Sequence, residues 1–317
     1  MAAGILSLKK KYLRDLALVT PRFVKELRGR QVHNQFLQFR KIGSKPKKKP
    51  NIPNDANSEF LANRAMGDWA ERKVASLVNQ TKKVKASQFG VTSRLIAGTP
   101  GFKSEYLEML EETRVEGKRP DYLVFPKGVV VPALTRLTKA RLRRTVGKAI
   151  GAVEVRSSKF AAIRYIKARK WQEQRGKNIT GKETPSFTMK MEDVKIVHRW
   201  VRHNRVPLVY VQVFFDSVFA INFLTLMKAV VRGRYRINKP AKSQEKTTVM
   251  VPLTVGTKIA TMRRAPDFTL RLKVSKLGRH DAYVKPIAGD YKLDLDALMQ
   301  CLHRWDFQES AIDDLIT

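Results

Sequence analysis

Gly117-Lys118-Arg119-Pro120-Asp121-Tyr122-Leu123-Val124-Phe125 carries a carboxylate at the mouth of a short β-branched and aromatic run, which reads as a strand. Ala149-Ile150-Gly151-Ala152-Val153-Glu154-Val155-Arg156-Ser157-Ser158-Lys159 reads as a second apolar strand interrupted by one acid. Period-two alternation sets Glu154, Arg156 and Ser158 on one face of that strand, with Val153 and Val155 on the other. If the strands pair, the carboxylates of Asp121 and Glu154 meet at one sheet edge. Carboxylate oxygens are the donors that a hard divalent cation such as Mg²⁺ selects.

These residues resemble the motif of the PD-(D/E)XK superfamily of nucleases, and of the type II restriction endonucleases within it. That motif consists of a Pro-Asp, a second acid on the neighbouring strand, and a lysine two residues beyond it. Pro120-Asp121 and Glu154 match the first two positions, while Arg156 stands where the lysine belongs. Arginine can hold a phosphate but is a poor general base, because it does not give up its proton. Lys159 is the candidate for a relocated lysine, although strand parity counts against it. The resemblance implies an α/β fold, a restriction-endonuclease-like core of a mixed central β-sheet flanked by helices. It covers residues 57–228, where the order strand, strand, helix, helix, strand, strand also resembles that core. The remainder divides into a basic N-terminal segment and linker, 1–56, and a β-rich C-terminal part, 229–317, expected to pack on the core and contact DNA.

The chain of 317 residues is long enough to bury a substantial core. Its 63 basic and 28 acidic residues give a net charge of +35, a field that points to a polyanionic partner, with nucleic acid ahead of an acidic membrane surface. No apolar run approaches the roughly 20 residues needed to span a bilayer. A single cysteine, Cys301, excludes an internal disulfide and a cysteine-based zinc cluster, and fits a reducing cytoplasm.

From Ser58 to Asn79, apolar residues at Phe60, Ala65, Trp69, Val74, Leu77 and Val78 follow the helical period and predict a helix lying on a sheet. Within it, Gly67-Asp68-Trp69-Ala70-Glu71 resembles the first core helix of the nuclease fold, whose acid sometimes reaches the metal; the alternative for Glu71 is an exposed helix acid. Residues 82–104 read as basic loop. The acids of the next helix, about 103–116, either pair with arginines, keep the helix off DNA or lend Glu112 or Glu116 to the metal. Arg136, Lys139, Arg143 and Arg144 recur at helical spacing between the two core strands, as a phosphate-contacting element or a plain basic surface. Arg164 and Lys167 lie on a very basic helix after Glu154, expected to turn Ile163, Ile166 and Trp171 inward. A second Pro-Asp at Asp267 and the acid-x-lysine Asp290-Tyr291-Lys292 also match the motif. They are set aside because Asp290 follows Gly289 in a turn-like context and no core helix is expected after the lysine.

The five histidines lack metal-ligand spacing and read as surface or interface side chains. No nucleophile elbow, phosphate loop or dinucleotide fingerprint appears, so no nucleotide cofactor is expected. The resemblance therefore implies a Mg²⁺-dependent homodimeric endonuclease cutting both strands of double-stranded DNA at a short palindromic site. Asp121, Glu154 and Glu71 would be its metal ligands, and Arg156 or Lys159 would touch the scissile phosphate. Gln88, Arg94, Arg234 and Arg236 are candidates for base contacts. The rival readings are a non-catalytic basic structural protein and a repair or recombination nuclease of the same fold.

Overall fold

The two apolar runs form adjacent strands, β2 (Tyr122–Pro126) and β3 (Gly151–Ser157), paired antiparallel with Tyr122 opposite Val153. On the other side of β3 lies β5 (Leu208–Val213), in parallel register with Glu154 opposite Tyr210. Every residue of β5 is buried, as its near-continuous apolar sequence requires of a strand covered on both faces. The sheet continues antiparallel through β6 (Ser217–Asn222) to a long hairpin, β9 (Thr257–Val274) and β10 (His280–Leu293). At its opposite edge is β1 (Val84–Gln88), giving the order β1-β2-β3-β5-β6-β9-β10. A second, three-stranded sheet joins β4 (Ser186–Lys190), β8 (Thr248–Pro252) and β7 (Arg236–Asn238). The structure is a computed structural model that describes residues 2–39, 58–90, 101–134, 137–176, 184–238, 247–274, 278 and 280–316.

Helices cover both faces of the large sheet. On one side α1 (Ala2–Gly29) buries Tyr12, Leu16, Val19, Phe23 and Leu27, a three-and-four spacing, largely against α7 (Phe223–Val231). This helix continues through Pro21. Beside it runs α6 (Met191–Asn204), which buries Val194, Val197, Trp200 and Val201 in the same core. On the other side α2 (Ser58–Asn79) and α8 (Leu295–His303) pack over Val153, Val155, Val209 and Val211. Burial of each such apolar side chain contributes roughly 1.5–3 kcal/mol. The remaining α-helices among the described residues are α3 (Phe102–Val115), α4 (Lys139–Gly147), α5 (Ala162–Gln174) and α9 (Ile312–Ile316). Among the described residues no helix is long and apolar enough to cross a membrane.

The mixed α/β architecture is the one expected, with local differences. Part of the basic stretch 82–104 is the edge strand β1, held by pairing with β2, a partner that local composition does not reveal. Trp171 is not on the inner side of α5: it is half-exposed, under the Arg175 guanidinium at 3.8 Å from the ring centre. Phe60 is also exposed, near the start of α2. His198 is not a surface residue; it is buried, its Nε2 2.9 Å from Thr20 Oγ1 and its ring edge-on to Phe39. A core helix, α8, does follow Asp290-Tyr291-Lys292, yet Asp267 and Asp290 are both exposed on the hairpin.

Candidate active site

The site grows from the point where the β2–β3 ladder ends. Continuing the register one step past Tyr122 and Val153 sets Asp121 across from Glu154. Residues opposed in this way have Cβ atoms about 4.5–5.5 Å apart. Asp121 Oδ2 accepts the Val155 backbone N–H at 2.6 Å, so the carboxylate continues the ladder where main-chain pairing stops. Behind it, the N–H groups of Phe89 and Gly90 donate to the Asp121 carbonyl at 2.9 and 3.1 Å. A Cβ on Gly90 would lie 3.1 Å from the Asp121 Cα, so the chain leaving β1 packs tightly against that residue.

Glu154 is 1% exposed, and a carboxylate so deeply placed needs partners. Its Oε1 receives the Lys118 ammonium and, at 3.2 Å, Arg156 Nη2. Arg156 Nη2 also bonds Asp193 Oδ2 at 2.7 Å, and Lys118 Nζ lies 4.0 Å from the same carboxylate oxygen. The first turn of α6 thus does more than complement the helix dipole: Asp193 joins an alternating network of two acids and two cations. Glu154 Oε2, Arg156 Nε and Tyr210 Oη are buried without hydrogen-bond partners.

Electrostatics ties this network to α2. Burial, then Asp68 and Glu154, push the Glu71 carboxyl up to about 7. Burial raises Asp121 well above its ordinary value, with further repulsion from Glu154 and Glu71. Burial alone would raise Asp193 too, but Lys118 and Arg156 outweigh it and hold that carboxyl low. Burial works most strongly against the Lys118 ammonium, yet Glu154, Asp193 and Asp121 together outweigh it and keep its pKa above the usual lysine value. Among the described residues no three Asp, Glu, His or Cys side chains already surround one point as metal ligands. The donor set nevertheless fits a hard cation: all-oxygen, mutually repelling, with a buried carboxylate oxygen lacking a partner.

Asp121, Glu154, Glu71 and Arg156 therefore share one electrostatic neighbourhood. Lys159 stands apart, exposed beyond the end of β3 and three residues before α5 begins. Arg143 and Arg144 are exposed on α4, and Arg164 and Lys167 on α5. Lys139 opens α4. Arg136 and Arg94 lie outside the described residues. Gln88 is exposed at the end of β1; Arg234 is engaged with Glu309, and Arg236 with Thr184 at 3.2 Å. Glu111 and Glu112 of α3 pair with Arg114 and Arg119, and Glu116, just past its end, with Arg143. Sequence reasoning missed Lys118 and Asp193 as site residues. No spacing marks Lys118, because a contact with α6, some eighty residues on, carries it to Glu154: its backbone N–H donates to the Ile196 carbonyl at 3.1 Å.

A mixed sheet flanked by helices, with carboxylates and two cations gathered where its β2–β3 pair ends, defines a restriction-endonuclease-like fold. The model of the AccI restriction endonuclease family matches residues 24–179 and 166–308, most of the chain, and the chain belongs to that family. It is a type II site-specific deoxyribonuclease acting on double-stranded DNA. No curated protein and no solved structure matches the chain.

Proposed function

We propose that this restriction endonuclease is Mg²⁺-dependent and cuts both strands of a short palindromic sequence as a homodimer in the cytoplasm. The observation that carries the reading is the register that opposes Asp121 and Glu154, combined with the unpartnered buried oxygen of Glu154. Asp121 and Glu154, flanked by Glu71, would hold the ion. When bound, such an ion supplies Lewis acidity and makes water a stronger acid. The protein side chains do the positioning. The Val155 N–H fixes one Asp121 oxygen and leaves the other for binding. Asp193 anchors Arg156, whose guanidinium braces Glu154. Exposed Arg143, Arg144, Arg164 and Lys167, with Lys139 and Arg136, are assigned to the DNA backbone.

Two-fold symmetry of the protein would mirror that of the site. An exposed stripe on one face of the hairpin supports a dimer: Phe268, Leu270, Leu272 and Val274 on β9, with Val284 paired to Leu270. These side chains line up as one contiguous exposed apolar stripe, the kind of surface that marks a protein–protein contact. Incubation with plasmid and Mg²⁺, or with EDTA, tests the activity. Discrete Mg²⁺-dependent fragments with fixed ends are expected, and Asp121→Asn should abolish them. Retardation without cutting would instead identify a DNA binder, and cutting only at junctions a repair nuclease.

A further inference from the structure

We propose that Lys118 is the catalytic cation of this active site, its ammonium contacting the scissile phosphate, and that Arg156 is a structural brace. The proposal deepens the metal-dependent cleavage proposed above and rests on it.

The two cations beside Glu154 differ in what they face. Arg156 bonds Asp193 and Glu154 through the same Nη2, and its field is felt at Asp193 and at the buried Tyr210. Its guanidinium is therefore held toward α6 and β5. Lys118 enters from the loop before β2, and its field reaches Asp121 and Glu71 as well as Glu154 and Asp193. Both cations contact Glu154, and Lys118 is the one whose field also acts on Asp121 and Glu71, the other acids assigned to the ion. An ammonium has three N–H donors. Lys118 has a hydrogen bond to Glu154 Oε1, while the Asp193 oxygen at 4.0 Å is beyond hydrogen-bond reach. Glu154 divides its two oxygens to match: Oε1 takes the cations and Oε2 has no partner, so Oε2 can bind an ion without displacing the lysine.

Two backbone features aim Lys118. Gly117 has φ +98°, and a Cβ there would lie 2.3 Å from the Ile196 carbonyl oxygen, so the turn sits directly on α6. The Lys118 N–H to Ile196 bond then fixes where the side chain leaves the backbone. In the reaction water adds across a P–O bond: its oxygen joins phosphorus, and one of its protons passes through solvent to the departing sugar oxygen. Lys118 keeps its own protons throughout. It donates a charge-assisted hydrogen bond to a non-bridging phosphate oxygen as negative charge builds there, and such preorganised donors typically contribute about 10²–10³ in rate.

The test compares Lys118→Cys, before and after aminoethylation of its thiol, with Arg156→Met and the wild type. The native Cys301 is buried, and reagent-treated wild type is the control. Single-turnover cleavage with Mg²⁺, DNA affinity without cutting, and thermal unfolding are measured on each. The unmodified Lys118→Cys protein is expected to cut about 10²–10³-fold more slowly, with DNA affinity close to wild type and a lower melting temperature because buried Glu154 loses one partner, and aminoethylation should restore most of the rate. Arg156→Met should chiefly lower the melting temperature. Cutting by the unmodified Lys118→Cys protein within about tenfold of wild type, or no recovery after aminoethylation, overturns the assignment. A Lys118→Cys protein that is unfolded while Arg156→Met is folded but inactive also overturns it, because the roles would be reversed. If the wild type itself shows no Mg²⁺-dependent cutting, the underlying functional reading fails instead.

Discussion

Gly117→Ala isolates the close approach on which the active-site loop depends. The added Cβ would lie 2.3 Å from the Ile196 carbonyl oxygen and 2.4 Å from the Trp200 nitrogen, both backbone atoms of α6. Neither can turn aside as a side-chain tip would, so the loop has to lift from the helix. Holding an L-residue in left-handed backbone costs about 1–2 kcal/mol. Breaking the Lys118 N–H to Ile196 bond strands a donor and an acceptor, for about 1–3 kcal/mol more. The expected loss is thus roughly 2–5 kcal/mol, a large part of the ~5–15 kcal/mol typical of a folded domain. Urea unfolding should show the midpoint falling with little change in slope. Lifting the loop by about 1 Å also moves Lys118, and misplacement on that scale can slow a reaction ~10²-fold. Single-turnover cleavage, measured where the variant stays folded, should therefore fall as well. A variant less than about 1 kcal/mol weaker that still cuts at the wild-type rate would refute this account of the loop.

Further outcomes follow from the same geometry. Glu71 titrates at about 7 against an ordinary 4.5. Its raised value favours the folded state below pH 4.5, and that contribution is lost as pH rises through about 7. In EDTA the wild type should therefore lose stability between pH 5 and 8 relative to Glu71→Gln, by roughly 2 kcal/mol after allowing for solvent screening; parallel pH–stability curves would exclude the effect. Arg144→Ala should reduce the slope of log affinity against log salt by about 0.9, the signature of one lost phosphate contact, and an unchanged slope would remove that residue from the interface. Leu270→Asp together with Leu272→Asp should shift the protein from dimer to monomer in sedimentation velocity; an unchanged sedimentation coefficient would place the subunit contact elsewhere.

The acids and the strands were legible in the sequence because each depends on local pattern. Val153, Glu154, Val155 and Arg156 alternate, so their faces follow from parity alone, and the valines do lie in the α2 and α8 core. The buried run of β5 and the amphipathic α6 are read in the same way. What stayed hidden depends on distant partners. β1 becomes a strand only because β2 offers it an edge, and His198 is buried because Thr20 and Phe39 meet it from the N-terminal segment. Trp171 has the size and spacing of a core residue, yet it stays half-exposed beneath the Arg175 guanidinium. Nothing local singles out Lys118 among sixty-three basic residues, since charge alone cannot show which cation will be brought to an acid.

The charge arrangement at the β2–β3 end gives these details a common cause. Outside, an excess of thirty-five positive charges attracts a polyanion. Inside, Asp121, Glu154 and Glu71 repel one another, and burial together with that repulsion raises Asp121 and Glu71 toward the protonated state. Such a cluster is costly for the free protein, and neither Lys118 nor Arg156 relieves it fully: Arg156 is shared with Asp193, while Glu154 Oε2 remains without a partner. Folding alone gives no reason to retain these acids, since apolar side chains at the ladder end would avoid the repulsion. A divalent ion would supply the missing positive charge and release the protons that burial holds on the acids. The same repulsion that costs the free protein would therefore strengthen the hold of these acids on an ion. Asp121, which hydrogen-bonds the Val155 N–H as well as facing Glu154, would couple that binding directly to the integrity of the sheet.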